Sequence, residues 1–198
     1  MDENHEVVAG DPLALFDAWY AEAQKTELND PNAVALATAT ADGKPSVRMV
    51  LMKPVRDRRF CFFTNAESKK GRQLAENPRA AMCFHWKSLR RQVRVEGNIT
   101  ELSASDSDAY FHSRSRQSQI GAAVSRQSRV LGSREELEAA ARSFAEAHAG
   151  EIARPDYWRG FELEPMEIEF WIDGAFRLHD RFLFTWSEGS WKRVRLYP

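Results

Sequence analysis

Residues 33–52 read AVALATATADGKPSVRMVLM. Two apolar runs, 33–40 and 46–52, flank the turn 41–44. Its Asp42-Gly43 pair is a strong hairpin signal, because a tight turn needs the positive φ that glycine supplies. Working outward, RFCFFT (59–64), RAAMCFHW (79–86) and RQVRVEGNITEL (91–102) read as further strands. In the last of these Val93 and Val95 alternate with Gln92, Arg94 and Glu96, which predicts a half-buried strand with one polar face. The C-terminal region adds EIEFWID, RFLFTWS and WKRVRLY, the last two joined by a turn at Glu188-Gly189.

Helices interrupt this pattern. Asp11 followed by Pro12 starts one, with Leu13, Phe16, Tyr20 and Ala23 at helical spacing and Asn29-Asp30-Pro31-Asn32 as its stop. Asn65 is expected to cap a short helix over AESKKGRQLAEN, which Pro78 ends. Ser103 with Asp106, and Ser133 with Glu136, fit the capping-box spacing and make 103–148 a helical segment. Roughly seven or eight antiparallel strands with inserted helices predict an α+β protein built on an antiparallel barrel or sandwich. No strand runs through a glycine-rich turn into a helix, which argues against a Rossmann domain.

The chain has 198 residues, 43% hydrophobic and 29% charged, which suits one globular domain over 11–198 behind a flexible tail over 1–10. No apolar run approaches the ~20 residues of a membrane span. The polar start MDENHEVVAGD has no signal-peptide pattern, so a cytoplasmic location is the simplest expectation. Cys61 and Cys83 sit in apolar runs and are expected to be buried thiols. The five histidines show no metal-ligand spacing, and no hydrolase or Walker motif occurs. The net charge of −1 conceals a division: −8 over 1–43, +12 over 44–134 and −5 over 135–198. A basic middle calls for an anion, which is a nucleic acid, a membrane surface or a phosphorylated small molecule.

Four groups of residues narrow that choice. Arg48 and Lys53 share RMVLMK and project to opposite faces if the strand is regular; Val50 and Met52 accompany Arg48. A cation beside apolar positions can hold a phosphate whose attached ring lies on the hydrophobic surface. Lys69 and Lys70 stand in the first turns of a helix, where the helix dipole disfavours cations and backbone N–H groups favour phosphate. Tyr110, Arg114, Arg116, Ser118, Arg126, Gln127, Ser128 and Arg129 lie in a stretch with no acidic residue from 110 to 134; such donors are typical phosphate ligands, and basic, aromatic segments also bind nucleic acid. On an extended RLHDR, Arg177, His179 and Arg181 face one way, and like-charge repulsion from the two flanking guanidinium groups is expected to keep His179 neutral and able to accept a hydrogen bond.

Together these segments resemble the pyridoxamine 5'-phosphate oxidase family. RMVLMK (48–53), FFTNAESKKGRQLAENPRAA (62–81), FHWKSLRRQVRVEG (84–97), YFHSRSRQSQIGAAVSRQS (110–128), IEFWIDGAFRLHDR (168–181) and the terminal RLYP run in family order. The resemblance implies an α+β fold, an antiparallel FMN-binding split β-barrel with flanking helices, working as a homodimer with FMN at the interface and with neither nucleic acid nor membrane as partner. It implies FMN contacts at Arg48, Met49, Val50, Leu51, Met52, Lys53, Phe63, Thr64, Lys69, Lys70, Gln92, Gln127, Ser128, Trp171 and Arg181. Substrate phosphate falls to Lys53, Tyr110, Arg114 and Ser118, with Arg177 and His179 as catalytic residues over the substrate ring. The implied reaction oxidises pyridoxamine and pyridoxine 5'-phosphates to pyridoxal 5'-phosphate by hydride transfer from C4' to flavin N5. O2 is the acceptor, giving H2O2, and the amine also releases ammonia. The alternatives are another split-barrel FMN oxidase acting on a different ring, of the phenazine-precursor type, or a nucleic-acid-binding module. Three positions depart from the family pattern: Lys69 where arginine is common, Ser115 where proline is common, and Ala123 where tryptophan is common. The family's N-terminal Arg-x-x-Tyr segment has no match in the first ten residues.

Overall fold

The structure, a computed structural model, describes residues 10–56 and 58–198. The tail expected over 1–10 lies outside them, Gly10 excepted. The strands are β1 (Ala33–Ala39), β2 (Pro45–Leu51), β3 (Lys53–Arg56), β4 (Arg59–Asn65), β5 (Arg79–Trp86), β6 (Arg91–Glu101), β7 (Trp158–Ile172), β8 (Asp180–Ser187) and β9 (Ser190–Leu196). The helices are α1 (Pro12–Thr26), α2 (Lys69–Glu76), α3 (Ala104–Ser113), α4 (Arg116–Val124) and α5 (Arg134–Ala147), with a single 3-10 turn at Ala175–Arg177. Every strand pairing is antiparallel.

The sheet runs in the order β2-β1-β5-β6-β7-β4-β3, with the β8–β9 hairpin added at β7. Its two ends, β2 and β3, are consecutive in the chain and separated by Met52 alone. A sheet whose first and last strands are so joined must curl back on itself, which makes a barrel with a split between β2 and the β3–β4 pair. Met52 anchors the join: its N–H donates to the Asn32 carbonyl at 2.9 Å, and its own carbonyl accepts from Asn32 Nδ2 at 3.0 Å.

α1 plugs the barrel. Asp11 caps it through Leu13 N–H, and Phe16 packs edge-on against Phe60 and Phe84 with centroids 4.8 and 5.1 Å away. The helix ends at Thr26, earlier than the Asn29 stop. Glu27 is drawn off by Ser88, whose N–H and hydroxyl both donate to the Glu27 carboxylate at 2.9 and 2.5 Å. A second apolar cluster, Phe111, Ile120, Ile152 and Trp158, ties α3 and α4 to the start of β7. Cys61 is buried and Cys83 only half-buried; both are free thiols. Among the described residues no helix is long and apolar enough to cross a membrane.

β7 begins well before the expected EIEFWID stretch, and Pro165 explains why the sequence hides its first half. Proline inside a run argues against a strand. Here it sits beside a bulge: Gly97 faces Pro165 while Glu96 faces Glu167, so Met166 is the extra residue. The earlier half of β7 pairs with β4 and the later half with β8. The bulge also requires close approach, since a Cβ on Gly97 would overlap the Glu164 carbonyl oxygen. Gly97→Ala is therefore expected to cost about 2–3 kcal/mol through overpacking against backbone. The measurement is a thermal melt, with a fall of about 5–10 °C expected for a chain of this size.

Candidate active site

A cleft of about 470 Å³ opens at the split in the barrel. Met49, Val50 and Leu51 from β2, Lys53 from β3, and Phe63 and Thr64 from β4 line it with Lys70, Tyr110, Arg114, Ser115, Ser118, Gln127 and Trp158. The strand expected over 46–52 breaks at Met52, and that break is what allows this. β2 ends at Leu51 and Lys53 starts a new strand opposite Cys61, so Lys53 joins the cleft from the other side of the split.

One end of the cleft is built around Lys70. The helix cap is Ser68, not Asn65; Asn65 Oδ1 instead accepts from Glu67 N–H at 2.7 Å, in a turn before the helix. Lys69 and Lys70 are thus the first two helical residues. Lys70 is only 8% exposed, and its Nζ donates to Thr64 Oγ1 at 2.9 Å, Gln127 Oε1 at 2.7 Å and Ser68 Oγ at 3.5 Å. None of these acceptors is charged. Burial, aided by the charge of Arg48, lowers the Lys70 pKa to about 8. Ser128, at φ 71°, places its Oγ to accept the Lys69 N–H at 3.1 Å. The Lys69 side chain itself is exposed.

The other end is built around Arg114. Its guanidinium lies 5.0 Å from the Trp158 ring centre, its buried Nη1 has no hydrogen-bond partner, and burial lowers its pKa. Phe63, Tyr110 and Trp158 stack beside it, with Phe63 4.1 Å from Tyr110 and 5.2 Å from Trp158. Lys53 Nζ stands 5.0 Å above Tyr110. Ser115 caps α4 through Ser118 N–H and donates its hydroxyl to Ser118 Oγ at 2.9 Å. The departure from proline at 115 thus supplies a helix cap at the edge of the site.

Charge decides what these cations are for. Arg91 and Arg154, also mostly buried, are neutralised by Glu22 and Asp108 at 2.7 and 2.6 Å. Among the described residues Arg48, Lys70 and Arg114 have no carboxylate within salt-bridge reach. A buried cation left with neutral acceptors is costly unless an anion arrives.

Other expected site residues lie elsewhere. Arg48 is behind the cleft, its Nη1 donating to the Leu36 carbonyl at 3.1 Å and to Thr38 Oγ1 at 2.6 Å. The Met52 side chain is in the core, 2% exposed, so only its backbone is near the split. Gln92, Trp171 and Arg181 form a row across β6, β7 and β8. This row, with Arg177 and His179, does not line the cleft of its own chain.

His179 is not framed by the two arginines as the extended RLHDR suggests. Its Nδ1 accepts from Gly174 N–H at 3.0 Å, the Asp173 carboxylate is 3.1 Å away, and its ring is 4.6 Å from Trp171. Arg181 is committed to Glu169 (2.9 and 3.0 Å) and to the Tyr197 carbonyl (3.0 Å). The intervening loop is turned rather than extended, with Phe176 and Arg177 both at positive φ (56° and 67°) and Phe176 93% exposed. Trp158 and Glu169 are site or supporting residues that the sequence does not single out, and Ser115, noted there only as a departure from the family pattern, lines the cleft. Glu169 lies inside the strand EIEFWID without a motif of its own, yet it is 4% exposed and bridges Arg94 and Arg181.

Fold and site together define a split-barrel protein with cations at both ends of an aromatic-lined cleft. The pyridoxamine 5'-phosphate oxidase profile matches residues 20–148, and the pyridoxine 5'-phosphate oxidase C-terminal dimerisation region matches residues 158–198. A pyridoxine/pyridoxamine 5'-phosphate oxidase of Sinorhizobium fredii is 54% identical over 193 residues, covering 96% of this chain and 94% of its own. The structure of PhzG from Burkholderia lata, in complex with tetrahydrophenazine-1-carboxylic acid, superposes with a TM-score of 0.92 at 32% identity, over 100% of this chain and 98% of that one. A pyridoxamine 5'-phosphate oxidase-related, FMN-binding protein of Nostoc punctiforme shares the fold, with a TM-score of 0.75 at 16% identity over 96% of this chain and all of that one. The chain belongs to the pyridoxamine 5'-phosphate oxidase family, and is with it an FMN-dependent oxidoreductase. The residues present fit that cofactor: a buried ammonium with only neutral acceptors suits its phosphate, and the aromatic cleft suits a planar ring.

Proposed function

We propose that the protein oxidises pyridoxine and pyridoxamine 5'-phosphates to pyridoxal 5'-phosphate, with O2 as acceptor and H2O2 as product, and with ammonia released from the amine. The observation that carries this reading is the pair of unneutralised cations, Lys70 and Arg114, on one cleft. A flavin phosphate and a substrate phosphate account for both.

Lys70, Thr64 and Gln127, with Arg48 behind them and Ser128 and the Lys69 backbone at the rim, bind the FMN phosphate. Met49 to Lys53 and Phe63 border the ring system. Arg114, Ser118, Tyr110 and Lys53 bind the substrate phosphate, far from the reacting carbon. Anchoring there is binding energy used to orient C4'. FMN, when bound, would supply the redox chemistry, a two-electron oxidation of the substrate carbon with O2 as the final acceptor.

In the homodimer, Gln92, Trp171 and Arg181 of one protomer face the cleft of the other and complete the flavin site. Arg177 and His179 then orient and polarise the substrate ring. The His179 ring is held at Nδ1, which lies 3.0 Å from the Gly174 nitrogen and 3.1 Å from the Asp173 carboxylate. No covalent nucleophile is required.

The phenazine-precursor reading has the Burkholderia lata structure in its favour. The higher identity to pyridoxine/pyridoxamine 5'-phosphate oxidases supports the phosphate reading. The test is a visible spectrum of the yellow holoprotein under anaerobic conditions. Pyridoxine 5'-phosphate is expected to bleach the flavin, and unphosphorylated pyridoxine far more slowly. Bleaching by a dihydrophenazine carboxylate and by neither vitamer phosphate would sink the assignment.

A further inference from the structure

Arg48 is half-buried, and every acceptor it has is neutral: the Leu36 carbonyl, Thr38 Oγ1 and, at 3.4 Å, Gln73 Oε1. It also lies close enough to Lys70 for its charge to depress the lysine. Two like charges held together without a counterion repel, and an arginine side chain is long enough to relieve that by swinging into solvent. Something must hold it. We propose that Gln73, on α2, is the positioning residue for Arg48, keeping its guanidinium behind the phosphate end of the cleft while leaving its charge uncompensated.

Gln73 is 3% exposed, and its amide has one permitted orientation. Nε2 donates to Ser46 Oγ on β2 at 3.2 Å. Oε1 accepts from Thr38 Oγ1 on β1 at 2.6 Å and from Arg48. Thr38, also 3% exposed, passes the constraint on, accepting from Arg48 Nη1 while donating to Gln73. The helix that carries Lys70 is thereby tied through Gln73 to the strands that carry Arg48. An amide, unlike a carboxylate, fixes geometry without cancelling charge. Arg94 and Arg181 show the opposite solution in this chain, both held by the Glu169 carboxylate and neutralised by it.

This inference rests on the FMN reading above, and the experiment separates the two. Flavin-free protein is titrated with FMN and with riboflavin, and quenching of flavin fluorescence gives both dissociation constants. The ratio reports the phosphate's contribution alone. The wild-type protein is expected to prefer FMN by 100-fold or more; no preference would overturn the phosphate-site reading itself.

Gln73→Glu, nearly isosteric, places a carboxylate against Arg48. It is expected to cut the preference at least tenfold with riboflavin affinity unchanged. A preference equal to wild type, or an equal loss of both affinities, would overturn the positioning role and leave Gln73 a packing residue. Should Gln73→Glu not fold, the pair Thr38→Val and Thr38→Ser reads the same network. The first is expected to lose preference and the second to keep it; identical behaviour of the two would overturn the proposal.

Discussion

Lys70→Met is expected to weaken FMN binding by about 100-fold and, in the same protein, to raise the melting temperature of the flavin-free form. The first effect follows from losing a charge-assisted contact to phosphate, worth about 2–3 kcal/mol. The second follows from the cost the ammonium imposes in the empty cleft, where three neutral oxygens and no carboxylate surround it. Methionine has similar length and no charge to desolvate, and the Thr64–Gln127 hydrogen bond at 3.2 Å survives the change.

The pH dependence has a definite sign. Lys70 titrates at about 8 in the flavin-free protein, below its unfolded value near 10.5. Its neutral form is therefore favoured by folding, a contribution fully present above pH 10.5 and lost as pH falls through about 8. A bound phosphate reverses this by favouring the charged form. FMN affinity should be full below pH 8 and decline as pH rises through it. Fluorescence titration from pH 7 to pH 9.5, flanking the pKa of about 8, is expected to show that decline in the wild type. The same slope in Lys70→Met would remove Lys70 from the phosphate site.

Arg114→Ala is expected to lower kcat/KM for pyridoxine 5'-phosphate by about 10²- to 10³-fold, the range set by truncating one partner of a buried charge pair. Flavin content should not change, because Arg114 shares no hydrogen-bond partner with Lys70 and packs on Trp158 instead. The loss should appear in kcat as well as KM, since a substrate held less firmly at its phosphate presents C4' less often in a reactive position. The slow rate with unphosphorylated pyridoxine supplies the control: it should be almost unaffected. A comparable loss with that alcohol would show that Arg114 shapes the cleft through its contact with Trp158 rather than through phosphate.

The strands and caps that depend on local pattern were legible in the sequence. Asp42-Gly43 and Glu188-Gly189 mark hairpins, Asp11, Ser103 and Ser133 cap helices, and RAAMCFHW is β5 to the residue. What depends on long-range register was not. The first half of β7 is concealed by Pro165, whose bulge has meaning only opposite Gly97. Met52 continues the apolar run of β2, yet its side chain turns into the core at the corner where the barrel closes. The candidate site divides in the same way. Residues on β2, β4, α2 and α3 could be grouped by charge and residue type, and the cleft collects them. Gln73 and Trp158 carry no motif of their own, and only the packing of helices on the sheet, α2 on β1 and β2 and α3 on β7, brings them to Arg48 and Arg114.

The closure of the barrel also sets a schedule for synthesis. β4 pairs with β7, and Phe60 must wait for Leu163, about 100 residues later in the chain. At translation rates of about 5–20 residues per second, that is on the order of 5–20 s during which one side of β4 has no strand beside it. The hairpin β1–β2 and the pair β5–β6 can form at once from neighbouring sequence, whereas the wall holding Phe63 and Thr64 can be completed only when the last quarter of the chain has emerged. The nascent chain cannot complete this wall of the cleft before residues 158–163 have emerged. Until then β4, whose Phe60 and Phe62 are fully buried in the finished fold, is the strand that waits longest for its partner.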